Sequence, residues 1–499
     1  MRPQWKSLAI SGFCVLSWIG SVKAADEFIA CLQNIKSNEH SNLTIPTSST
    51  YDTERLGYNL AVHYYPRAIY YPETTENAAD AVKCAVFHHV TITPRSGGHS
   101  YEGYSAGGMN DTFVIDVSRM AHFRFIKEYN YAVVGAGHRL GPLYAKLWRE
   151  GQYLISAGTC PTMGIAGHIL SGGLGMVSRK YGVASDGVVN MTVIDANGDI
   201  KLVNSKSNAE LFWALRGAGS GSFALVTEFY IRAYEAAPKV TTMALDFPLE
   251  QYSKVIDDFS KWSTLTYGSL TAQMVLHSQG ISLLVTVLGP KENAWRYVDV
   301  FLKLTGNDKS KVPHHVHEGT WHDAASRWAN LSSGSLEHPV TDDPRHFRGT
   351  SLLYQKPLSK REKDIIRKYA LHKPERSSSH YVTIDMWGGK ISTTGFPSAF
   401  DNHRAVHLGV QYMVKWGDRN SNLNLSCEAC LAWAYNFRKE LSKVNSARIV
   451  ESYQGYMVRN EKDPLLDEYY GDSMLPLKQV KKMYDPYDRF KFPQSIPLP

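Results

Sequence analysis

Arg95-Ser96-Gly97-Gly98-His99-Ser100-Tyr101-Glu102-Gly103 (RSGGHSYEG) directly follows the β-rich run Val90-Thr91-Ile92-Thr93-Pro94. A strand that ends in a glycine-rich turn lets backbone N–H groups approach an anion, and Arg95 can add charge. The stretch lacks the Gly-Lys-Ser/Thr of a P-loop, and no G-x-G-x-x-G opens a helix after a strand. Gly217-Ala218-Gly219-Ser220-Gly221 alternates glycines but lacks the downstream acid of a dinucleotide fingerprint. Spacing alone leaves two readings open, a nucleotide or phosphate cradle and plain turns.

Outward from this loop, short β runs alternate with helical segments. A helix is expected over Thr75 to His88, and strands over Thr112 to Val117, Tyr131 to Val134 and Val188 to Asp195. This alternation predicts an α+β or α/β fold. From about Glu235 to Ser446 the strands are longer (ISLLVTVLG, HYVTIDMWGG, HLGVQYMVKW) and mix with amphipathic helices. Long alternating strands predict an antiparallel sheet with helices on one face. At 499 residues the chain exceeds the size of one core, so two domains are expected.

The composition, 43% apolar and 20% charged, is that of a globular protein. The 29 Tyr and 11 Trp fit core packing, or a cleft that binds sugars or flat rings. Arg2 and Lys6 precede an apolar run from Leu8 to Ile19 and the small-residue pattern Val22-Lys23-Ala24. That is the pattern of a cleaved secretory signal over residues 1–24, too short to span a bilayer. Its removal lowers the net charge from +7 to +4, too mild a balance to argue for nucleic acid. No other apolar run is long enough for a membrane. A secreted, extracellular protein is expected, and the sequons at Asn42, Asn110, Asn190, Asn330 and Asn424 are candidate glycan sites.

Cys14 leaves with the signal, so five cysteines remain. Cys31 and Cys84 lie on two helical segments and are expected to staple the N-terminus. Cys427 and Cys430 form a C-x-x-C without the partners of a metal or redox site, which leaves a local disulfide or two inert thiols. No metal site is expected. Cys160 is left over, inside the glycine-rich loop SAGTCPTMGIAGHILSGGLG. A chemical role and a free thiol both remain open for it at this level.

The motifs RSGGHSYEG, SAGTCPTMGIAGHILSGGLG, LFWALRGAGSGSFALVTEF, QYMVKW and the terminal YDPYDRF…QSIP resemble the berberine bridge enzyme-like flavoproteins. These belong to the vanillyl-alcohol oxidase/p-cresol methylhydroxylase superfamily, and the likeness is to its fungal-type oligosaccharide oxidases. The resemblance covers essentially the whole mature chain. It implies an α+β fold: a two-part FAD-binding domain of the p-cresol methylhydroxylase type, plus a substrate domain whose antiparallel sheet is flanked by helices. The implied domains are residues 25–234 for FAD (core about 63–234), 235–446 for substrate, and a 447–499 segment that returns to the FAD domain.

The resemblance also implies residue roles. His99 would bond the flavin 8α-methyl carbon and Cys160 the ring's 6-position, giving a bicovalent FAD. Arg95, Ser96, Gly97, Gly98 and Ser100 would cradle the pyrophosphate. Thr162, Gly164, Gly167, His168, Gly172 and Gly173 would wrap the flavin, with His168 near its pyrimidine end. Asp385 and Tyr456 fall where sugar oxidases place an acid-assisted tyrosine base, while Gln411 and Tyr101 would face the substrate. The chain departs from the family's usual residues at Ala218, Ser220 and Asp488. It also departs at Met163, a position tied to oxygen access.

The expected enzyme is an FAD-linked oxidoreductase acting on a CH–OH group, with molecular oxygen as acceptor. The expected substrate is the reducing end of an oligosaccharide, converted to a lactone. A related oxidase of a secondary metabolite, an alkaloid or phenolic alcohol, is the alternative. A non-catalytic secreted flavin fold is a third class, which intact candidates for tether and base argue against.

Overall fold

The computed structural model describes residues 27–36, 42–266, 268–329, 335–339, 344–393, 396–418, 420–444, 452–459 and 465–499. The expected signal segment and Asn330 lie outside these residues.

Eighteen strands among the described residues form four sheets. The first holds β1 (Leu43–Thr44), β2 (Ala68–Tyr70), β3 (Ile92–Arg95) and β4 (Phe113–Asp116), in the order β1-β2-β4-β3. Its pairs β2–β4 and β3–β4 are parallel. The second holds β5 (Phe123–Ile126), β6 (Tyr131–Gly135), β8 (Val188–Ile194), β9 (Ile200–Val203) and β10 (Leu225–Arg232), all antiparallel. Strands β7 (Tyr153–Leu154) and β11 (Tyr234–Glu235) make a small ladder.

The helix Thr75–Phe87 begins where Thr74 accepts a hydrogen bond from the amide of Asn77. Its buried face carries Cys84, which is disulfide-bonded to Cys31, as expected from their places on two helical segments. The C-terminal stretch shares this core through Tyr469, Leu477, Phe490 and Ile496. Lys481, fully buried, holds it there by donating to the carbonyls of Ser222 and Phe490 and to Asp485.

The fourth sheet decides where the chemistry sits. It holds β12 (Val240–Pro248), β13 (Leu270–His277), β14 (Gly280–Val287), β15 (His314–Gly319), β16 (His346–Tyr354), β17 (Ser379–Met386) and β18 (Leu408–Trp416). They run antiparallel in the order β15-β12-β14-β13-β17-β18-β16. Period-two patterning divides its faces. Val382, Ile384 and Met386 of β17 and Val410, Tyr412 and Val414 of β18 enter a core with the helices Tyr252–Leu265, Lys291–Thr305, Lys360–Leu371 and Glu428–Val444. The alternate residues Thr383, Asp385 and Gln411 therefore point to the opposite face, and the register sets Thr383 beside Gln411. Cys427 and Cys430 are disulfide-bonded at the start of the last of these helices.

The described sequon asparagines differ in access. Asn110 and Asn424 are exposed and Asn190 half-buried, whereas Asn42 is buried with its carbonyl oxygen accepting from Arg119. A glycan on Asn42 would therefore need that contact to open.

Candidate active site

Two glycine loops are pressed together. A Cβ on Gly97 would lie 2.1 Å from the amide nitrogen of Gly164, and a Cβ on Gly164 equally close to that of Gly97. Only glycine permits this approach. Around the contact, Ser96 Oγ donates to the Ala136 carbonyl at 2.7 Å, and Ser100 Oγ accepts from the Tyr104 amide at 3.1 Å. Gly98 has φ +75°, and neither it nor Gly167 would meet an atom within 4 Å on gaining a Cβ. Both backbones thus border open space, as a bound group requires.

Arg95 departs from its expected role. Its guanidinium is buried against Asp116, its register partner on β4, and also donates to the Glu54 carbonyl at 2.8 Å. Its charge is neutralised inside the fold, so it anchors the strand and is not directed at an anion. His168 is held by a bond within its own loop. Its Nε2 accepts from the Gly158 amide at 2.8 Å, and burial pushes its pKa down to about 4. It ties the loop to itself as a neutral ring. Gly172 and Gly173 have φ of +102° and +85°, where a Cβ would strike Phe400 and Ala184. The Gly173 amide donates to Tyr453 OH at 3.0 Å.

His99 and Cys160 meet at one hydroxyl. Thr162 Oγ1 lies 3.2 Å from His99 Nε2 and 3.5 Å from Cys160 Sγ. The His99 ring stacks on Tyr58 with centroids 4.3 Å apart and planes 10° from parallel. Cys160 stands outside both disulfides, as the cysteine arithmetic implied.

Across from the loops, Asp385 Oδ1 accepts from Gln273 Nε2 at 2.5 Å, and Thr383 Oγ1 lies 3.4 Å from Oδ2. Burial raises the Asp385 carboxyl to about 6, against the pull of those two hydrogen bonds. Tyr456 lies in a short turn, Gln454–Tyr456, which Tyr453 fastens to β16 by donating its amide to Ser351 Oγ at 3.2 Å. The Tyr456 ring stacks on Tyr101 at 5.1 Å and meets Tyr453 edge-on at 5.0 Å. Gln411 Nε2 donates to Tyr101 OH at 2.8 Å, and Phe347 packs edge-on against the Tyr101 ring at 5.0 Å.

Burial, and then the negative field of Asp385, hold the Tyr456 phenol well above its ordinary range. Tyr101 follows His99 by two residues and stacks on Tyr456, so the glycine loop and the turn that carries Tyr456 meet in one site. The structure therefore brings together His99, Cys160, Thr162, Tyr101, Gln411, Asp385 and Tyr456.

Three neighbours escaped the sequence reading. Gln273 and Tyr381 sit on outward positions of alternating strands, a pattern that could have flagged them. Tyr58 lies in no motif, and only the fold brings it onto His99.

Residues 66–204 match the FAD binding domain family, and residues 453–497 match the family described as berberine and berberine like. The chain is 35% identical to the glucooligosaccharide oxidase of Sarocladium strictum, covering 97% of this chain and 96% of that one. It is 28% identical to the xylooligosaccharide oxidase of Thermothelomyces thermophilus, covering 98% of each. The structure of BBE-like 1 from Physcomitrella patens superposes with a TM-score of 0.84 at 31% identity, over 95% of this chain and 99% of that one.

Proposed function

Because the chain belongs to the berberine bridge enzyme-like FAD-linked oxidoreductases, we propose that it oxidises the reducing-end carbon of an oligosaccharide to a lactone, with molecular oxygen reduced to hydrogen peroxide. The carrying observation is that Tyr456 stacks at 5.1 Å on Tyr101, two residues after His99 in the glycine loop. A candidate base and a candidate flavin tether thus face one space. Relatives named as gluco- and xylooligosaccharide oxidases support the sugar reading.

The residues present fit FAD. Gly98 and Gly167 border open space, and the His99–Thr162–Cys160 cluster presents an imidazole and a thiol side by side. We assign a double attachment to His99 and Cys160, with residues 25–234 and 447–499 holding the cofactor and 235–446 the substrate. When bound, FAD supplies the hydride acceptor and the route to oxygen.

The chain's own groups supply the rest. Asp385 as carboxylate accepts the Tyr456 phenolic proton, which lets Tyr456 take the proton of the substrate hydroxyl. An unassisted phenol with a reference value near ~10 is too weak a base at neutral pH. Gln273 orients Asp385 through their hydrogen bond. Tyr101, held by Gln411 and stacked on Tyr456, offers a flat wall to a sugar ring. Met163 is half-buried against the core and donates its amide to the Cys160 carbonyl at 3.3 Å, which keeps its flexible side chain close to the proposed tether.

Export through the segment 1–24 belongs to the same proposal. Two disulfides support an oxidising compartment, and no helix among the described residues is long and apolar enough to cross a membrane.

The test is peroxide release on cello-, malto- and chito-oligosaccharides, with product mass read in parallel. Peroxide and a product two hydrogens lighter are expected. The aromatic walls Tyr101, Phe347 and Tyr456 would also accept a flat phenolic alcohol or alkaloid. Turnover of such a compound, with no saccharide oxidised, would overturn the sugar reading.

A further inference from the structure

The outward sheet face continues past Asp385. The register runs from Asp385 through Gln273, Leu284 and Ala244 to His315 on the edge strand β15. Over this flank lies a cavity of about 580 Å³. Thr159, the neighbour of Cys160, lines its opposite wall, together with Arg327 and Trp328 of the helix Trp321–Trp328. Gln273 both lines the cavity and donates to Asp385, so the cavity adjoins the proposed reaction site.

Its lining has a definite chemistry. Thr242 and Thr286 lie side by side on β12 and β14. Thr286 Oγ1 accepts from Trp328 Nε1 at 2.9 Å. The Thr242 hydroxyl is buried with no hydrogen-bond partner among the described residues. Buried hydroxyls left so are costly unless water or a ligand pairs with them. No Asp or Glu is among the lining residues, and Arg327 is their one fixed charge. Among the described residues no ion pair engages it.

We propose that this cavity holds the non-reducing part of the substrate, and that Arg327 selects chains carrying a carboxylate there, as in a uronic-acid-substituted oligosaccharide. The inference rests on the saccharide reading above. Glycosyl hydroxyls suit the threonine pair, and a planar carboxylate suits the guanidinium fork. A neutral chain would fill the cavity and leave Arg327 to water.

The test uses the flavin-loaded enzyme with xylotetraose and its glucuronic-acid-substituted counterpart. Each is also supplied as the borohydride-reduced alditol, which binds but has no reducing-end carbon to oxidise. Calorimetry on the alditols should show the acidic chain binding about three- to tenfold tighter, an advantage that shrinks in high salt. Arg327→Gln should bring the ratio of acidic-chain to neutral-chain affinity to about one, and Arg327→Glu should invert that ratio. No preference in the wild type, or a preference that survives Arg327→Gln, overturns the inference. Alditol binding in the expected pattern, with no oxidation of either parent sugar, would sustain the cavity's role and sink only the oxidase reading.

Discussion

Gly97 and Gly164 touch backbone to backbone, each blocking the space a Cβ on the other would need, at 2.1 Å from an amide nitrogen. This contact joins the loop that carries His99 to the loop that carries Cys160. Backbone atoms cannot rotate away as a flexible side chain can. Gly97→Ala or Gly164→Ala should therefore separate the loops at a cost of about 1–3 kcal/mol or more and lower flavin content. Gly98→Ala meets no atom and should carry only the milder strain of a positive φ, about 1 kcal/mol. Flavin-to-protein absorbance ratios of the three purified variants check the ranking. Equal loading of Gly164→Ala and Gly98→Ala would contradict it.

His99 and Cys160 share the Thr162 hydroxyl, so one ring system placed against Thr162 would be in reach of both. His99→Ala and Cys160→Ala should each retain acid-stable yellow colour through the remaining link, and the double variant should lose it. Mass spectrometry of the denatured proteins reads this directly. Covalent flavin in the double variant would rule the pair out.

How far the sequence revealed this site depends on the kind of contact. Asp385 and Gln411 are singled out by the family resemblance, and the antiparallel register then places Thr383 beside Gln411 and Asp385 beside Gly409. Cysteine counting set Cys160 apart because Cys31–Cys84 and Cys427–Cys430 close on themselves. Asp488 adopts φ +53°, a conformation that Asp tolerates better than most residues, and pairs with Lys481 and Lys491. Arg95 was misjudged because its partner Asp116 lies on the neighbouring parallel strand, a register that no local pattern encodes. Tyr58 on His99 and Gln273 on Asp385 are likewise contacts between distant segments.

Asp385 should impose a pH dependence of its own. The proposed role needs the carboxylate, and burial lifts the carboxyl from 3.8 to about 6. Activity should therefore climb as pH rises through about 6 and then level off. Asp385→Asn should remove that limb and lower kcat by roughly 10²–10³-fold. Stability runs the other way. A carboxyl raised in the folded state contributes stability below its ordinary value, and that contribution is lost as pH rises through about 6. The Asn variant should thus melt higher than the wild type above pH 6. A variant that is both slower and less stable there would show that Asp385 serves the fold instead.

His168 predicts acid sensitivity of the flavin loop. Its ring is buried, its Nε2 accepts from Gly158, and its pKa falls from 6.5 to about 4. The unfolded chain takes up a proton near its ordinary value while the folded chain resists. Stability from this group is therefore full above about 6.5 and is lost as pH falls to about 4, on the order of 3 kcal/mol in all. His138, also pushed down to about 4 by burial, adds to the same window. Melting temperatures of the wild type should drop between pH 7 and 4. His168→Gln keeps an acceptor for the Gly158 amide but cannot titrate, so it should flatten part of that drop while preserving flavin content. His138→Gln tests the remainder. If His168→Gln falls as steeply as the wild type, the imidazole is already protonated in the folded protein, and the hydrogen bond to Gly158 cannot be its resting state.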